Sequence, residues 1–159
     1  MKLAILAVGN RQPAWVRDGC AEYLKRMPRE LPVEIVEIKP EPRQGGKARA
    51  QLLAAEGIRL RQALHAFGQA PRLVALDERG DDLTTSQFAE TLGGWMRDGR
   101  DTALLIGGAD GLDAALGEQA DARLRLSSLT LPHGMARLVL CEQIYRASSL
   151  FKRHPYHRA

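Results

Sequence analysis

The sequence predicts an α/β fold built on a mostly parallel sheet, and three observations carry that prediction. Short apolar runs recur at Lys2 to Val8, Leu73 to Leu76 and Ala103 to Ile106, each stopped by glycine or aspartate. A run that is apolar at nearly every position is what a strand buried on both faces looks like. Between the runs lie segments with apolar residues at helical spacing, so strands and helices alternate along the whole length. The third observation is that no linker, repeat or low-complexity tract interrupts the alternation. One domain spanning 1–159 is therefore expected, long enough to bury roughly 70% of its unfolded surface.

Taken in order, the first strand ends at Gly9, and Asn10 to Pro13 turns into a helix. Pro13 sits near the first helical position, where a missing N–H loses no hydrogen bond. That helix carries Trp15, Val16, Tyr23 and Leu24 at helical spacing and stops before Pro28. Leu31 to Ile38 alternates through Val33, Ile35, Val36 and Ile38 as a second strand. Pro40, Pro42, Gly45 and Gly46 make a loop. An amphipathic helix follows from Lys47 to about Phe67, with Leu52, Leu53, Leu60 and Leu64 inward. Its Arg49, Arg59 and Arg61 form a solvated or phosphate-facing side, and His65 in the last turn complements the helix dipole.

Leu73 to Leu76 is the third strand, followed by an acidic loop from Asp77 through Gly80 to Asp82. Thr84 with Gln87 is a capping-box signature, opening a helix with Phe88, Leu92, Trp95 and Met96 at core spacing. Asp101 to Ile106 is the fourth strand and Asp113 to Gln119 a short helix. In the fifth strand, Ala122 to Leu126, Leu124 and Leu126 alternate with Arg123 and Arg125. The last helix, about Gly134 to Phe151, is apolar on most of its circumference, so it is either central or packed on a partner chain.

The net charge of +4 is unevenly spread. Residues 39–72 carry seven basic and two acidic side chains, and residues 122–159 carry seven and one. Residues 77–121 carry three and eleven. Such zones suit a polyanionic partner such as a nucleic acid, unless the segments interleave in space and neutralise one another. No apolar run reaches the ~20 residues of a membrane span, and no signal-peptide core is read. Cys20 and Cys141 lack metal or disulfide spacing and read as small core hydrophobes of a protein in a reducing cytoplasm.

Two turns are candidates for a ligand site. Ile106 runs into Gly107-Gly108-Ala109-Asp110-Gly111, and Ser127-Ser128-Leu129-Thr130-Leu131-Pro132-His133-Gly134 follows the fifth strand. In α/β sheets ligands bind beyond the carboxyl ends of the strands, so both turns can line one pocket, or the glycines can simply make a tight connection. The spacing is not GxGxxG, and there is no P-loop, no Gly-x-Ser-x-Gly elbow and no obvious cysteine nucleophile, which argues against a dinucleotide-dependent oxidoreductase. In the last helix Glu142 and Arg146 stand four residues apart and can pair, while Arg137 can face a pocket or a phosphate. The tail, 152–159, interleaves Tyr156 with Lys152, Arg153, Arg158 and two histidines, a composition suited to stacking on a base and gripping phosphate. His154 and His157 have no third ligand at suitable spacing, so no metal is expected.

Leu3 to Gly9, Leu76-Asp77, Ile106 to Gly111, Leu129 to His133, Glu142 to Ala147 and His154 to Arg158 together resemble a known family. It is the ribosomal RNA large-subunit methyltransferase H group of the SPOUT superfamily, and the resemblance spans all 159 residues. It implies a minimal SPOUT domain with a C-terminal trefoil knot, here about residues 101–151, acting as a cytoplasmic homodimer. The implied reaction is methylation of N3 of a pseudouridine in 23S ribosomal RNA, on the assembled ribosome, with S-adenosylmethionine as donor. By position, Leu76, Gly107 and Leu126, Ser127, Ser128, Leu129, Thr130 and Leu131 are then expected to bind the cofactor, with Gly108 of the same turn. Tyr156, His157 and Arg158 are expected at the RNA-facing active site, with Arg146 and Glu142 beside them. His157 is the candidate general base, Arg158 or Arg146 the candidate for charge on the uracil carbonyls, and Tyr156 the residue that stacks on or orients the base. Gly134 departs from the pattern, where a bulkier residue is expected after Pro-His. A SPOUT enzyme with another RNA target and a non-enzymatic ribosome-associated factor remain the alternatives.

Overall fold

Side-chain alternation along β1 (Leu3–Val8) decides the layering, because every residue of it is buried. Leu3, Ile5 and Ala7 point to one face and Ala4, Leu6 and Val8 to the other. The computed structural model describes residues 1–151, and the remaining strands are β2 (Val33–Ile38), β3 (Arg72–Asp82), β4 (Thr102–Ile106) and β5 (Ala122–Arg125). They pair in parallel in the order β2-β1-β4-β3-β5. The helices are α1 (Ala14–Lys25), α2 (Arg49–Phe67), α3 (Thr85–Asp98), α4 (Ala114–Gln119) and α5 (His133–Phe151). The expected α/β class with a parallel sheet is what forms.

One face of the sheet buries Leu3, Ile5, Leu104 and Ile106 against Val16 and Cys20 of α1, Phe88 and Leu92 of α3, and Leu140 and Ile144 of α5. The other packs Leu6, Val8, Ala103 and Leu105 on Leu60 and Leu64 of α2 and Leu116 of α4. Full burial of one such leucine or isoleucine contributes about 1.5–3 kcal/mol, so this three-layer arrangement is where most of the stability resides. α5 is central to its layer, flanked by α1 and α3, which is why its sequence is apolar nearly all round. Cys20 and Cys141 meet inside it. The hydrogen bond that Cys141 donates to the Cys20 sulfur, and burial, push the Cys141 thiol up, so it is an inert core group.

Several local expectations shift. Residues 77–82 are not a loop: β3 continues through them, and after an irregularity beyond Leu76 the strand pairs again with β5, Asp81 opposite Leu124 and Asp82 opposite Arg125. Gly80 permits this, because a Cβ there would lie 2.6 Å from the backbone carbon of Leu124. α2 begins at Arg49, two residues later than expected, and it buries Glu56 as well as its leucines. Trp15, read at helical spacing with Val16, is exposed; Val16 and Cys20 make the inward face of α1. The Thr84 cap is as read, with its hydroxyl accepting from the Gln87 amide and the Gln87 side chain accepting from the Thr84 amide. At Gly134 a Cβ would meet Gln12 Oε1 at 2.9 Å and Val16 Cγ2 at 3.0 Å, so the small residue lets α5 start close against α1.

Candidate active site

Where β4 leaves the sheet, Gly107 to Gly111 reverses the chain. The Gly111 amide donates to the Gly108 carbonyl at 3.1 Å, and Gly111 takes φ +88°. A Cβ on Gly107 would lie 2.3 Å from the Gly111 carbonyl carbon, so glycine is demanded here by the closure of the turn itself. The closed turn is one wall of a cavity of about 640 Å³ that lies beyond the carboxyl end of β4 and beside the irregularity that follows Leu76 in β3. Leu76 and Asp77 of β3 form a second wall and residues 126–131 a third. All nine residues expected to bind a cofactor, Leu76, Gly107, Gly108, Leu126, Ser127, Ser128, Leu129, Thr130 and Leu131, line this one cavity.

The third wall is braced locally. Ser127 Oγ accepts from the Leu129 amide at 2.9 Å, and Arg125 Nε donates to the Ser127 carbonyl at 2.9 Å. Leu129 is consequently left 75% exposed at the rim, where an incoming ligand can cover it. Leucines beside backbone amides and carbonyls suit a flat, partly apolar ligand with a polar rim, which is the character of an adenosine.

Glu78, Arg79 and His133 are among the lining residues that were not expected to bind the cofactor. Glu78 and Arg79 reach the cavity because β3 continues where a loop was expected. His133, the first residue of α5, also lines it. Both ring nitrogens of His133 are buried, and the polar group that acts on them is the Gly107 backbone. Burial, then the charge of Arg137, holds its pKa below the ordinary histidine value, with the Gly107 backbone acting in the opposite sense. His133 is therefore neutral in the folded protein at neutral pH. The unfolded chain binds a proton that the folded chain resists, so stability rises with pH through this window and is lost as pH falls below about 6.5. His133→Gln is expected to lose less of its thermal midpoint than the parent between about pH 8 and about pH 5.5. Equal losses would mean that another group governs the acid sensitivity.

Glu142 and Arg146 do pair on α5, with Arg146 Nε 2.8 Å from Glu142 Oε1. Gln143 donates to the other oxygen of Glu142 at 2.6 Å. Tyr156, His157 and Arg158 lie outside the described residues.

Arg137 faces neither cavity nor solvent. It is 2% exposed, donates to Glu37 Oε1 at 2.8 Å and to the Gly9 carbonyl, and so ties the start of α5 to the ends of β1 and β2. The basic stretch 39–72 is also largely used inside the fold. Arg43 meets Asp110 at 2.8 Å, Arg61 meets Asp113 at 3.0 Å, Arg49 donates to the Asp110 carbonyl, and Lys47 and Arg59 both hold Glu41. Those two cations keep the Glu41 carboxyl below the usual range. The arginines of α2 are therefore not a free cationic face, because Asp110 and Asp113 meet Arg49 and Arg61 and Glu41 meets Arg59. Arg11, Arg17 and Lys39 are exposed and make no ion pair among the described residues. Among the described residues no group of side chains could hold a metal ion, and no helix is long and apolar enough to cross a membrane.

A family model described as "Predicted SPOUT methyltransferase" matches residues 1–157. The chain belongs to the SPOUT methyltransferase family. This SPOUT methyltransferase is 69% identical over 158 residues, 99% of each chain, to a protein of Dechloromonas aromatica named ribosomal RNA large subunit methyltransferase H. It is 57% identical over the full length of both chains to a protein of the same name from Burkholderia cenocepacia. A solved methylase family protein from Neisseria gonorrhoeae shares the fold at a TM-score of 0.52 and 16% identity, over 91% of this chain and 80% of that one.

Proposed function

We propose that this protein transfers a methyl group from S-adenosylmethionine to N3 of a pseudouridine in 23S ribosomal RNA, on the assembled ribosome. It does so as a cytoplasmic homodimer of single SPOUT domains, each knotted over about residues 101–151. The observation that carries the reading is the cavity into which the two turns, 107–111 and 126–131, converge beyond the sheet. The names of the two relatives support ribosomal RNA as the substrate.

The cavity residues fit the cofactor: Leu76, Leu126 and Leu131 offer an apolar slot, and the backbone of Gly107, Gly108 and the Ser127–Thr130 segment offers donors and acceptors around it. When bound, S-adenosylmethionine supplies an electrophilic methyl on a sulfonium. The protein's own work is then positioning, since an in-line displacement needs the nucleophile held behind that methyl. The N3 imide must also lose its proton, and His157 takes it. Arg158 or Arg146, the latter held by Glu142, offsets charge on the uracil carbonyls. Tyr156 orients the base.

The test is to incubate the protein with labelled S-adenosylmethionine and unmodified ribosomes, separate subunits or naked rRNA, and map the methyl group. Label at N3 of a pseudouridine, mainly on intact ribosomes, is the expected result. Cofactor binding without label on any of the three sinks the assigned reaction.

A further inference from the structure

Glu56 is a buried carboxylate that the reading above does not use. It sits on the inner side of α2 and is 2% exposed. One oxygen, Oε1, accepts from the Glu41 amide at 3.0 Å and lies 3.8 Å from an Arg43 nitrogen. The other, Oε2, has no hydrogen-bond partner, and it stands 3.2 Å from where a Cβ on Gly108 would be. A buried charge in such a place is costly unless something compensates it. Arg43 supplies the compensation and does a second thing. Its Nε and a terminal nitrogen donate to Asp110 Oδ2 at 3.1 and 2.8 Å, which fastens the far end of the same turn. Arg49 adds a bond to the Asp110 carbonyl at 2.9 Å.

We propose that Glu56 and Arg43 act as a positioning pair that holds the Gly107–Gly111 turn in the shape the cofactor needs. Glu56 backs the turn behind Gly108, and Arg43 spans from Glu56 to Asp110, so the wall of the cavity is set from the α2 side rather than by the ligand. The proposal rests on the reading of this cavity as the S-adenosylmethionine site. Neither residue touches the cavity, and both act through the turn.

Glu56→Gln separates this role from a merely local one. Glutamine keeps an acceptor for the Glu41 amide but removes the charge that Arg43 answers. Titration calorimetry with S-adenosylmethionine on the full chain is expected to show about ten-fold weaker binding for Glu56→Gln and for Arg43→Ala. Arg43→Lys is expected to recover part of it. In turnover, KM for the cofactor rises more than kcat falls. In the unliganded protein the amide resonances of Gly107, Gly108 and Gly111 shift in both variants. Asp110→Asn, a milder change at a half-buried position, makes the same test if Glu56→Gln does not fold.

Cofactor affinity and glycine amide signals within error of the parent overturn the proposal, even if the melting temperature drops. A raised KM for RNA with unchanged cofactor affinity also overturns it and makes Arg43 a phosphate contact. If the parent itself binds no S-adenosylmethionine, the cofactor reading fails, and the unliganded amide shifts still decide whether the pair shapes the turn.

Discussion

His157→Ala is expected to lower methyl transfer about a hundred-fold or more at saturating RNA and cofactor, the usual span for loss of a general acid or base. The chemistry sets this size. A neutral imide is a poor nucleophile, and a sulfonium methyl needs a lone pair aligned behind it, so removing the proton acceptor leaves only the positioning contribution. Histidine suits the task because it is largely unprotonated at neutral pH while still basic enough to accept a proton. Among the described residues the cofactor cavity is walled within 76–136, and a role confined to the proton predicts that S-adenosylmethionine affinity survives the substitution within about two-fold. Near-full turnover by His157→Ala sinks the base assignment. Retained turnover together with a collapse in Tyr156→Ala would move the essential contact to the aromatic ring.

The layers of the fold were legible in the sequence because burial leaves a direct mark. Strands buried on both faces, such as residues 3–8 and 103–106, carry no polar residue, and α5 shows its central place by being apolar nearly all round. Capping at Thr84 is equally local, since four consecutive residues contain the whole signal. The continuation of β3 through Asp77 to Asp82 was not legible. Its pairing depends on β5 some forty residues later, and an acidic segment with a glycine reads as a turn until that partner strand is in place.

The cofactor walls were legible for a mixed reason. Two glycine- and serine-rich turns after apolar runs mark the carboxyl edge of a sheet on physical grounds alone, and the resemblance added which residues of them to name. What glycine does at position 107 was not legible, because the constraint is a backbone contact with Gly111 four residues on. Charge was the least legible property. Arg43, Arg49 and Arg61 form part of a basic zone in sequence, yet each meets an acidic or carbonyl partner around Asp110 and Asp113. Composition records how many charges a segment has; only the fold decides which of them cancel.

Arg137 shows that difference most sharply, and its replacement has the largest expected effect on stability. A phosphate contact at this position would be exposed, and its loss would weaken RNA binding in a salt-dependent way while leaving the fold alone. The observed guanidinium is buried, with bonds to Glu37 and to the Gly9 carbonyl at the edge of the sheet. Arg137→Ala removes these bonds and opens a void under α5, so a loss of about 3 kcal/mol is expected. Glu37 keeps some access to water, its side chain being 37% exposed, which holds the loss toward the lower end for a broken buried pair. At a fixed protein concentration this corresponds to a urea midpoint lower by about 1.5 M. Arg137→Met refills most of the volume with apolar atoms and is expected to lose clearly less than alanine, since a packed hydrophobe often replaces a buried ion pair at little net cost. The same change removes the positive charge beside His133, so the pKa of that histidine is expected to move back toward its ordinary value. Both readouts are independent of RNA. Stability equal to the parent, with weaker RNA binding whose loss with rising salt is shallower than the parent's, would show that Arg137 turns outward to its substrate and that the buried pairing is not the state in solution.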